Sequence, residues 1–264
     1  MTEVEPSPSP SDDQLLTAAR AGDRQALEAL LERHQAQAYR FGMKMCRDPE
    51  DAKDVLQETL LAMARGIRDF RGASSLSTWL YTIARSFCIK KRRRRTPFAD
   101  GHVPDQPHAP VFGGQPGAPL DEALAGKRVT AALEAAIAQL DPMYREVLLL
   151  RDVEGLTAPE VAQVLALTPQ AVKSRLHRAR LSVREKVAPL LGLETDVPAA
   201  SGTCPDVLTM FSRHLEGEIS ADRCAEMERH LDACARCRMN CDSLRRTLAL
   251  CRPAGPTAEV PAAV

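Results

Sequence analysis

Aromatic residues are scarce in this sequence, at 4% of 264 residues, and it contains a single tryptophan. It also lacks an apolar run of the roughly 18–20 residues that a membrane-spanning helix requires. The acidic, Pro- and Ser-rich segment 2–13 does not look like a secretory signal. The sequence shows no glycine-rich phosphate loop, no nucleophile constellation and no pair of carboxylates suited to catalysis. We therefore expect a cytoplasmic protein without a membrane anchor, catalytic residues or a small-molecule substrate.

Leucine and alanine are abundant, and apolar residues recur at helical spacing, which is typical of an all-α protein. The formal net charge is zero, yet segment 85–95 holds seven Lys or Arg residues and no acid. A polyanion responds to such a local patch rather than to the charge of the whole chain. The charge pattern therefore leaves nucleic acid as a candidate partner.

Proline and glycine divide the chain into parts. Segment 96–119 contains six prolines and several glycines and has little apolar surface to bury, which predicts a flexible linker. A second break lies between residues 192 and 202. The predicted division is a disordered tail at 1–11, a helical domain at 12–95, a linker at 96–120, a second helical domain at 121–190 and a Cys/His-rich domain at 203–252.

The second helical domain contains the pattern of a helix-turn-helix. Thr157 and Glu160 are spaced as a capping box, which predicts the start of a short helix. Thr168, followed by Pro169 at the first helical position, predicts a longer helix that runs to about Lys186. One stripe of this longer helix is apolar and another is basic. A short helix, a tight turn and a basic second helix are typical of a motif that enters the DNA major groove.

Five segments of the two helical domains resemble the extracytoplasmic-function sigma factors of bacterial RNA polymerase. Region 4 of that family resembles 144–157 (YREVLLLRDVEGLT), 160–162 (EVA) and 172–180 (VKSRLHRAR). Region 2 resembles 51–58 (DAKDVLQE) and 70–85, which holds FRG and TWLYTIAR. The resemblance implies two small helical sigma domains that bind RNA polymerase core and promoter DNA and catalyse no reaction.

The resemblance also implies roles for single residues. The loop after Phe70 would hold a base flipped out of the −10 element, and the basic helix of region 4 would read the −35 element. The implied polymerase-binding residues are Asp54, Gln57 and Glu58. The implied −10 contacts are Arg71, Trp79, Arg92 and Arg93. The implied −35 contacts are Lys173, Ser174, Arg175 and His177 near the bases, with Arg178 and Arg180 at phosphates.

Cysteine is concentrated near the C-terminus, where six of the eight cysteines lie between residues 204 and 251. In a reducing compartment such clustering favours metal or redox chemistry over a disulfide framework. His230, Cys234 and Cys237 have the spacing of one stripe of a helix. A tetrahedral metal needs a fourth ligand, for which Cys204 is the best candidate. Such ligands suit zinc or another thiophilic metal, with copper(I) and cadmium as alternatives.

The Cys/His-rich domain resembles the zinc-binding module of anti-sigma factors, and its fusion to sigma-like domains resembles CorE-like metal-dependent sigma factors. This resemblance implies that a bound metal regulates the sigma domains in cis. Three possibilities follow. The metal is structural and another ligand set or a partner regulates, or the metal or thiol state is the signal, or a disulfide forms. Further candidate ligands are Cys224, Cys241 and Cys251.

Two of these further candidates have another interpretation. Cys241 and Cys251 continue a heptad-like apolar seam that begins at residue 230, which would make them buried apolar residues instead of ligands. In a continuous helix Cys237 and Cys251 would lie about 21 Å apart and could not share one ion. The Cys and His residues expected to have no ligand role are His214, a polar residue on a helix face, and Cys46 and Cys88, inert core thiols.

A second function is compatible with part of this sequence. A metal- or redox-responsive helix-turn-helix regulator would bind a palindrome as a dimer, without RNA polymerase. Such a regulator would not need segments 51–58 and 70–79. Their presence favours the sigma-factor prediction.

Overall fold

A computed structural model describes residues 10–95, 120–191 and 204–252, and all regular structure in these ranges is helical. The prediction of an all-α fold is therefore confirmed. Two compact units are present, one formed mainly by residues 1–98 and the other by residues 99–257. Most of the predicted disordered tail and of the predicted linker lies outside the described residues. None of the described helices combines the length and apolarity that a membrane crossing requires.

The first unit contains helices α1 (Asp12–Arg20), α2 (Arg24–Cys46), α3 (Pro49–Gly66) and α4 (Leu76–Arg95), with a 3₁₀ turn at Ile67–Asp69. All four helices begin with a side-chain cap. The side-chain oxygens of the capping residues accept hydrogen bonds from otherwise unpaired N–H groups in the first turns, and these residues are Ser11, Asp23, Asp48 and Ser75. These local signals fix where the helices start.

The core of the first unit lies between α2, α3 and α4. The Phe41 and Tyr81 rings meet edge to face, with centroids 5.1 Å apart. Helices α2 and α3 approach closely at Gly42, where an added Cβ would lie 3.3 Å from backbone atoms of Ala52. Burial of each large apolar side chain contributes roughly 1.5–3 kcal/mol. Fully buried examples are Leu30, Phe41, Leu56, Met63 and Leu80.

The second unit begins with α5 (Leu120–Ala138), α6 (Pro142–Leu148), α7 (Ala158–Leu165) and α8 (Pro169–Val187), with a π-helical stretch at Leu149–Val153. Helices α7 and α8 form the predicted helix-turn-helix. The capping box of Thr157 and Glu160 is present, and the Thr168 side chain caps α8. Ala166 has a left-handed backbone, with φ of 54°, and makes the turn between the helices.

The second unit continues with α9 (Val207–His214), α10 (Ala221–Ala233) and α11 (Ala235–Cys251). We call residues 204–252 the tail domain. Its small apolar core includes Val207, Phe211 and Leu244. A unit of this size buries too little apolar surface to be stable by packing alone. Helices α9 and α11 also pack against α8, so the tail domain and the helix-turn-helix share an interface.

Candidate metal centre and the surface of helix α8

Four side chains with soft donor atoms converge in the tail domain, and we call Cys204, His230, Cys234 and Cys237 the four-donor cluster. Their ligand atoms all lie within 4.8 Å of one another. The Sγ atoms of Cys204 and Cys234 are 4.0 Å apart, and Nε2 of His230 lies 3.2 Å from Sγ of Cys237. Two sulfurs bound to one tetrahedral zinc ion lie about 3.8 Å apart, since each Zn–S bond is about 2.3 Å. The spacing of the donors therefore fits one tetrahedral ion.

A reversal of the main chain at Cys234 brings these donors together. Helix α10 ends at the preceding residue and α11 begins at the following one, and Cys234 has an extended backbone with φ of −123° and ψ of 102°. His230 consequently lies in the last turn of α10 and Cys237 in the first turn of α11. The prediction that these residues share one stripe of a continuous helix is wrong. The structure nevertheless brings them together with Cys204.

The charge balance of the four-donor cluster indicates what it can hold. Burial, together with the neighbouring thiols of Cys204 and Cys234, raises the pKa of the Cys237 thiol to about 12. Thiolates at this separation repel one another, so they coexist only around a shared cation. Three sulfurs and an imidazole match zinc, copper(I) or cadmium and attract magnesium or calcium poorly. The residues present therefore fit a thiophilic metal.

The other three candidate ligands lie outside the four-donor cluster. Cys241 is buried in the core of the tail domain, with Sγ 3.9 Å from the carbonyl oxygen of Val207, and burial raises the pKa of this thiol to about 11. Cys251 ends α11, about 21 Å along the unbroken helix from Cys237. Both positions agree with the apolar-seam alternative. Cys224 is half-buried on α10.

An ion-pair network joins the tail domain to α8. Arg180 of α8 pairs with Asp152 at 2.6 Å and with Glu216 of the tail domain at 2.7 Å. Arg151 pairs with the same Glu216 at 3.1 Å. The side chains of Arg180, Asp152 and Glu216 are only 3%, 8% and 4% exposed. The predicted phosphate contact of Arg180 is incompatible with this arrangement, because two carboxylates already enclose the guanidinium.

Two α8 residues predicted to face −35 bases also contact the tail domain. Lys173 Nζ lies 3.3 Å from a carboxylate oxygen of Glu218, and His177 Nε2 lies 3.2 Å from the hydroxyl of Thr209. The tail domain therefore engages part of the surface that the resemblance assigns to DNA. The other predicted contacts on α8 differ in exposure: Ser174 and Arg178 are exposed, and Arg175 is half-buried.

The interface leaves the His177 ring one favoured protonation state. The Thr209 hydroxyl donates to Asp206, so it accepts from Nε2–H of His177. In this tautomer the proton is on Nε2, and the buried, unprotonated Nδ1 has no hydrogen-bond partner among the described residues. Protonation would bury an unsatisfied N–H. Burial lowers the pKa of His177, Asp206 opposes this, and three cations lower the pKa further: Arg213, Arg180 and Arg178.

Sequence reasoning missed the tail-domain side of this interface. Glu216 and Glu218 flank Gly217, whose φ of 66° turns the chain between α9 and α10. The sequence signal that could have indicated this interface is the run Glu216–Gly217–Glu218, which places two acids on a turn directly after a helix. Arg184 was also missed, and its guanidinium donates to Asn240 at 2.6 Å and to Ser243 at 2.5 Å on α11.

In the first unit, the residues predicted to bind polymerase lie on the outer side of α3. Asp54 and Gln57 are exposed and Glu58 is half-buried. The Asp54 carboxylate pairs with Lys91 of α4. Asp54, Gln57 and Glu58 therefore lie on the outer face of α3, and the buried inner face of the same helix packs in the core of the first unit.

The residues predicted to contact the −10 element lie on α4 and in the loop before it. Trp79 is half-buried and its ring stacks on Phe70, with centroids 4.8 Å apart. The Trp79 ring therefore contributes to packing within the first unit, in addition to its predicted contact with the −10 element. The predicted arginine contacts are exposed: Arg71, Arg92 and Arg93.

Comparisons with known proteins match three segments of the chain. Residues 30–97 match Sigma-70 region 2, residues 130–183 match Sigma-70 region 4, and residues 204–238 match a family described as a putative zinc-finger. These matches agree with the resemblances drawn from the sequence.

Individual relatives cover about two thirds of the chain. The extracytoplasmic-function RNA polymerase sigma factor SigM of Mycobacterium tuberculosis is 33% identical over 182 residues, which is 69% of this chain and 85% of that protein. The RNA polymerase sigma-H factor of Pseudomonas aeruginosa is 31% identical over 187 residues, 68% of this chain and 95% of that protein. A structure of CnrH in complex with the cytosolic domain of CnrY is 27% identical, covers 69% of this chain and 98% of that chain, and has a TM-score of 0.46.

Proposed function

The chain belongs to the extracytoplasmic-function sigma factors of RNA polymerase, and from this premise we propose that it directs the polymerase core to promoters as a non-catalytic cytoplasmic factor. Asp54, Gln57 and Glu58 bind the polymerase, the loop before α4 and α4 itself bind the −10 element, and α8 reads the −35 element. The acids Asp54 (exposed) and Glu58 (half-buried) on α3 suit a basic partner surface, and the exposed arginines on α4 suit phosphates.

We further propose that the tail domain inhibits this activity in cis by covering α8. The observation that carries the proposal is the pairing of Lys173 with Glu218 and of His177 with Thr209. A side chain that pairs with the tail domain cannot at the same time reach a base edge. Tail docking and −35 recognition therefore compete for the same residues.

The chemistry of the interface resembles that of a DNA contact. Guanidinium and ammonium groups bind carboxylates and phosphates in the same way, through charge-assisted hydrogen bonds. The carboxylate of Glu216 thus stands where a phosphate of bound DNA would neutralise Arg180, and the carboxylate of Glu218 pairs with Lys173, a residue assigned to contacts near the bases. Because Arg180 and Glu216 are both buried, separating them without DNA would take Glu216 away from its partners and leave Arg180 with Asp152 alone, which favours the docked state.

Metal at the four-donor cluster is proposed to maintain the docked state. Its ligands come from the segment before α9, the end of α10 and the start of α11, so one ion would tie together all three helices of the tail domain. Zinc supplies such a cross-link when bound, and copper(I) or cadmium are chemically suited alternatives. Losing the ion would loosen α9 and the loop that carries Glu216 and Glu218. The helix-turn-helix would then be free to bind DNA.

Run-off transcription with RNA polymerase core on genomic fragments tests this proposal. The full chain would be compared with a Glu216→Gln/Glu218→Gln variant, with metal loading held equal. Asp222→Asn/Glu226→Gln is a matched control that likewise removes two negative charges, because both residues are exposed on α10 and Glu226 pairs with Arg223 of the same helix. We expect more transcription from the Glu216→Gln/Glu218→Gln variant than from the control. Equal transcription from all three proteins would refute cis inhibition, and no transcription from any of them on any fragment would refute the sigma-factor assignment.

A further inference from the structure

Two cysteines of the first unit face each other between α2 and α4. The thiol of Cys46 donates a hydrogen bond to Sγ of Cys88, and the two sulfurs are 3.1 Å apart. The sequence predicts inert core thiols at both positions, yet Cys46 is only half-buried, whereas Cys88 is buried. Neither residue belongs to the four-donor cluster or to the predicted polymerase and DNA contacts. The pair is therefore a thiol site that the proposed function does not use.

The packing of the first unit holds these two thiols in place. Cys46 is the last residue of α2, and the left-handed backbone of Arg47, with φ of 61°, ends that helix. Cys88 lies in the second half of α4. The edge-to-face contact of Phe41 with Tyr81 joins the same two helices. Two helices fixed against each other in this way keep both sulfurs within reach of one another.

The separation of the sulfurs suits a disulfide. Sulfurs joined by a disulfide lie about 2.05 Å apart, so bond formation requires an approach of only about 1 Å. We propose that Cys46 and Cys88 form a reversible disulfide when the chain meets a small disulfide oxidant such as oxidised glutathione. In a reducing compartment, disulfides of this kind are usually transient and respond to the redox state.

The bond forms by two successive thiol–disulfide exchanges. Cys46 is the attacking residue, because it is the more accessible of the two thiols. Its thiolate attacks one sulfur of the oxidant and releases the first small thiolate. The thiolate of Cys88 then attacks Sγ of Cys46 and releases the second. Two protein thiols are thereby oxidised to one disulfide, the oxidant is reduced to two small thiols, and the two protein protons end on these thiols.

The expected consequence is a more stable first unit. The disulfide would join residues 42 positions apart, and a cross-link over such a span restricts the unfolded chain far more than the folded one. Cys46 lies three residues before Pro49, where α3 begins, and Cys88 lies one turn before Arg92 on α4. The bond would therefore tie the start of α3 to α4 without covering the predicted contact residues of either helix.

Urea unfolding of the full chain tests this proposal, because the single tryptophan lies in the first unit. Trp79 is on α4, so its fluorescence reports on this unit and not on the tail domain. After treatment with oxidised glutathione we expect the urea midpoint to rise by roughly 1–2 M. Dithiothreitol should return it to the starting value. Cys46→Ser is the matched control, since it keeps all six cysteines between residues 204 and 251 and should show no such rise. Cys88→Ala should likewise show none.

Peptide mapping identifies the bond itself. Remaining thiols are alkylated after oxidation and the chain is digested, and we expect one peptide pair that joins Cys46 to Cys88. Alkylation of both residues would overturn the proposal, as would glutathione retained on Cys46 beside an alkylated Cys88. A rise in the urea midpoint that persists in Cys46→Ser would also overturn it. None of these outcomes depends on polymerase, DNA or the state of the tail domain.

Discussion

The buried carboxylate of Glu216 gives the sharpest test of tail docking. Glu216→Gln keeps the size and shape of the side chain and removes only its charge. Arg180 would keep its pair with Asp152, at 2.6 Å, but would face a neutral amide across the interface. Arg151 would lose its tail-domain partner, at lower cost because its side chain is 27% exposed and can be hydrated.

The expected loss of docking free energy follows from burial of this pair. Breaking a buried ion pair by removing one partner costs about 3–5 kcal/mol. Because Asp152 still neutralises Arg180, we take the low end, about 3 kcal/mol. At about 1.4 kcal/mol for each factor of ten, the equilibrium between docked and undocked tail domain would shift by about 100-fold.

Binding of a −35 duplex reports this shift. If only the undocked form binds, the apparent dissociation constant equals the intrinsic constant divided by the undocked fraction. Glu216→Gln should therefore raise the affinity of the full chain for a duplex recovered by selection from random sequences, by up to about 100-fold. Fluorescence anisotropy of a labelled duplex measures the change.

The control for this experiment must remove one negative charge without touching α8. Glu226→Gln does so, since the Glu226 side chain is 47% exposed and pairs with Arg223 on its own helix. Any gain in affinity from lower overall repulsion of DNA appears in both variants. Equal affinities for Glu216→Gln and Glu226→Gln would refute the reasoning that docking depends on the buried pair.

Three further predictions concern other parts of the chain. Because the pKa of His177 is lowered on docking, the docked form binds fewer protons, so docking should weaken as pH falls below the ordinary value of 6.5. Hydrogen–deuterium exchange of α8 should show this pH dependence, and His177→Gln should abolish it. Cys234→Ser should remove a metal ligand, so the backbone amides of α11 should exchange hydrogen for deuterium faster while those of α2 and α3 exchange at their former rates. Unchanged exchange in α11 would contradict a structural role for the metal. Mild oxidation with diamide should join Cys46 and Cys88, whose sulfurs are 3.1 Å apart, and peptide mapping that finds both thiols free would contradict this.

The features that the sequence predicted correctly depend on neighbouring residues. The capping box of Thr157 and Glu160 and the Thr168–Pro169 start of α8 occupy a few consecutive positions, and each can be recognised without knowledge of the rest of the chain. The all-α fold follows likewise from apolar spacing within single helices. The longer motifs that resemble sigma regions 2 and 4 occur in the same order as the segments that match the two family models, 30–97 and 130–183.

The features that the sequence did not predict depend on partners far along the chain. Intervals of four and three from His230 to Cys237 are equally compatible with one helix and with two helices joined by a reversal. The reversal at Cys234 brings His230, Cys234 and Cys237 together with Cys204, which lies about 30 residues earlier in the chain. Burial of Arg180 likewise depends on Glu216, 36 residues away. A basic stripe alone does not distinguish arginines that meet DNA from those that a second domain neutralises.

Salt should act unequally on the two competing states of α8. Contacts with DNA phosphates release bound counterions, so their affinity falls steeply as salt concentration rises. The Arg180–Glu216 pair is buried, and the Lys173–Glu218 side chains are only 23% and 18% exposed, so the docked state is screened less. Rising salt would therefore favour the inhibited form even at constant metal. Under the proposed mechanism, the metal threshold for transcription is not a fixed property of the ligands, because it shifts with the ionic strength at which tail domain and DNA compete.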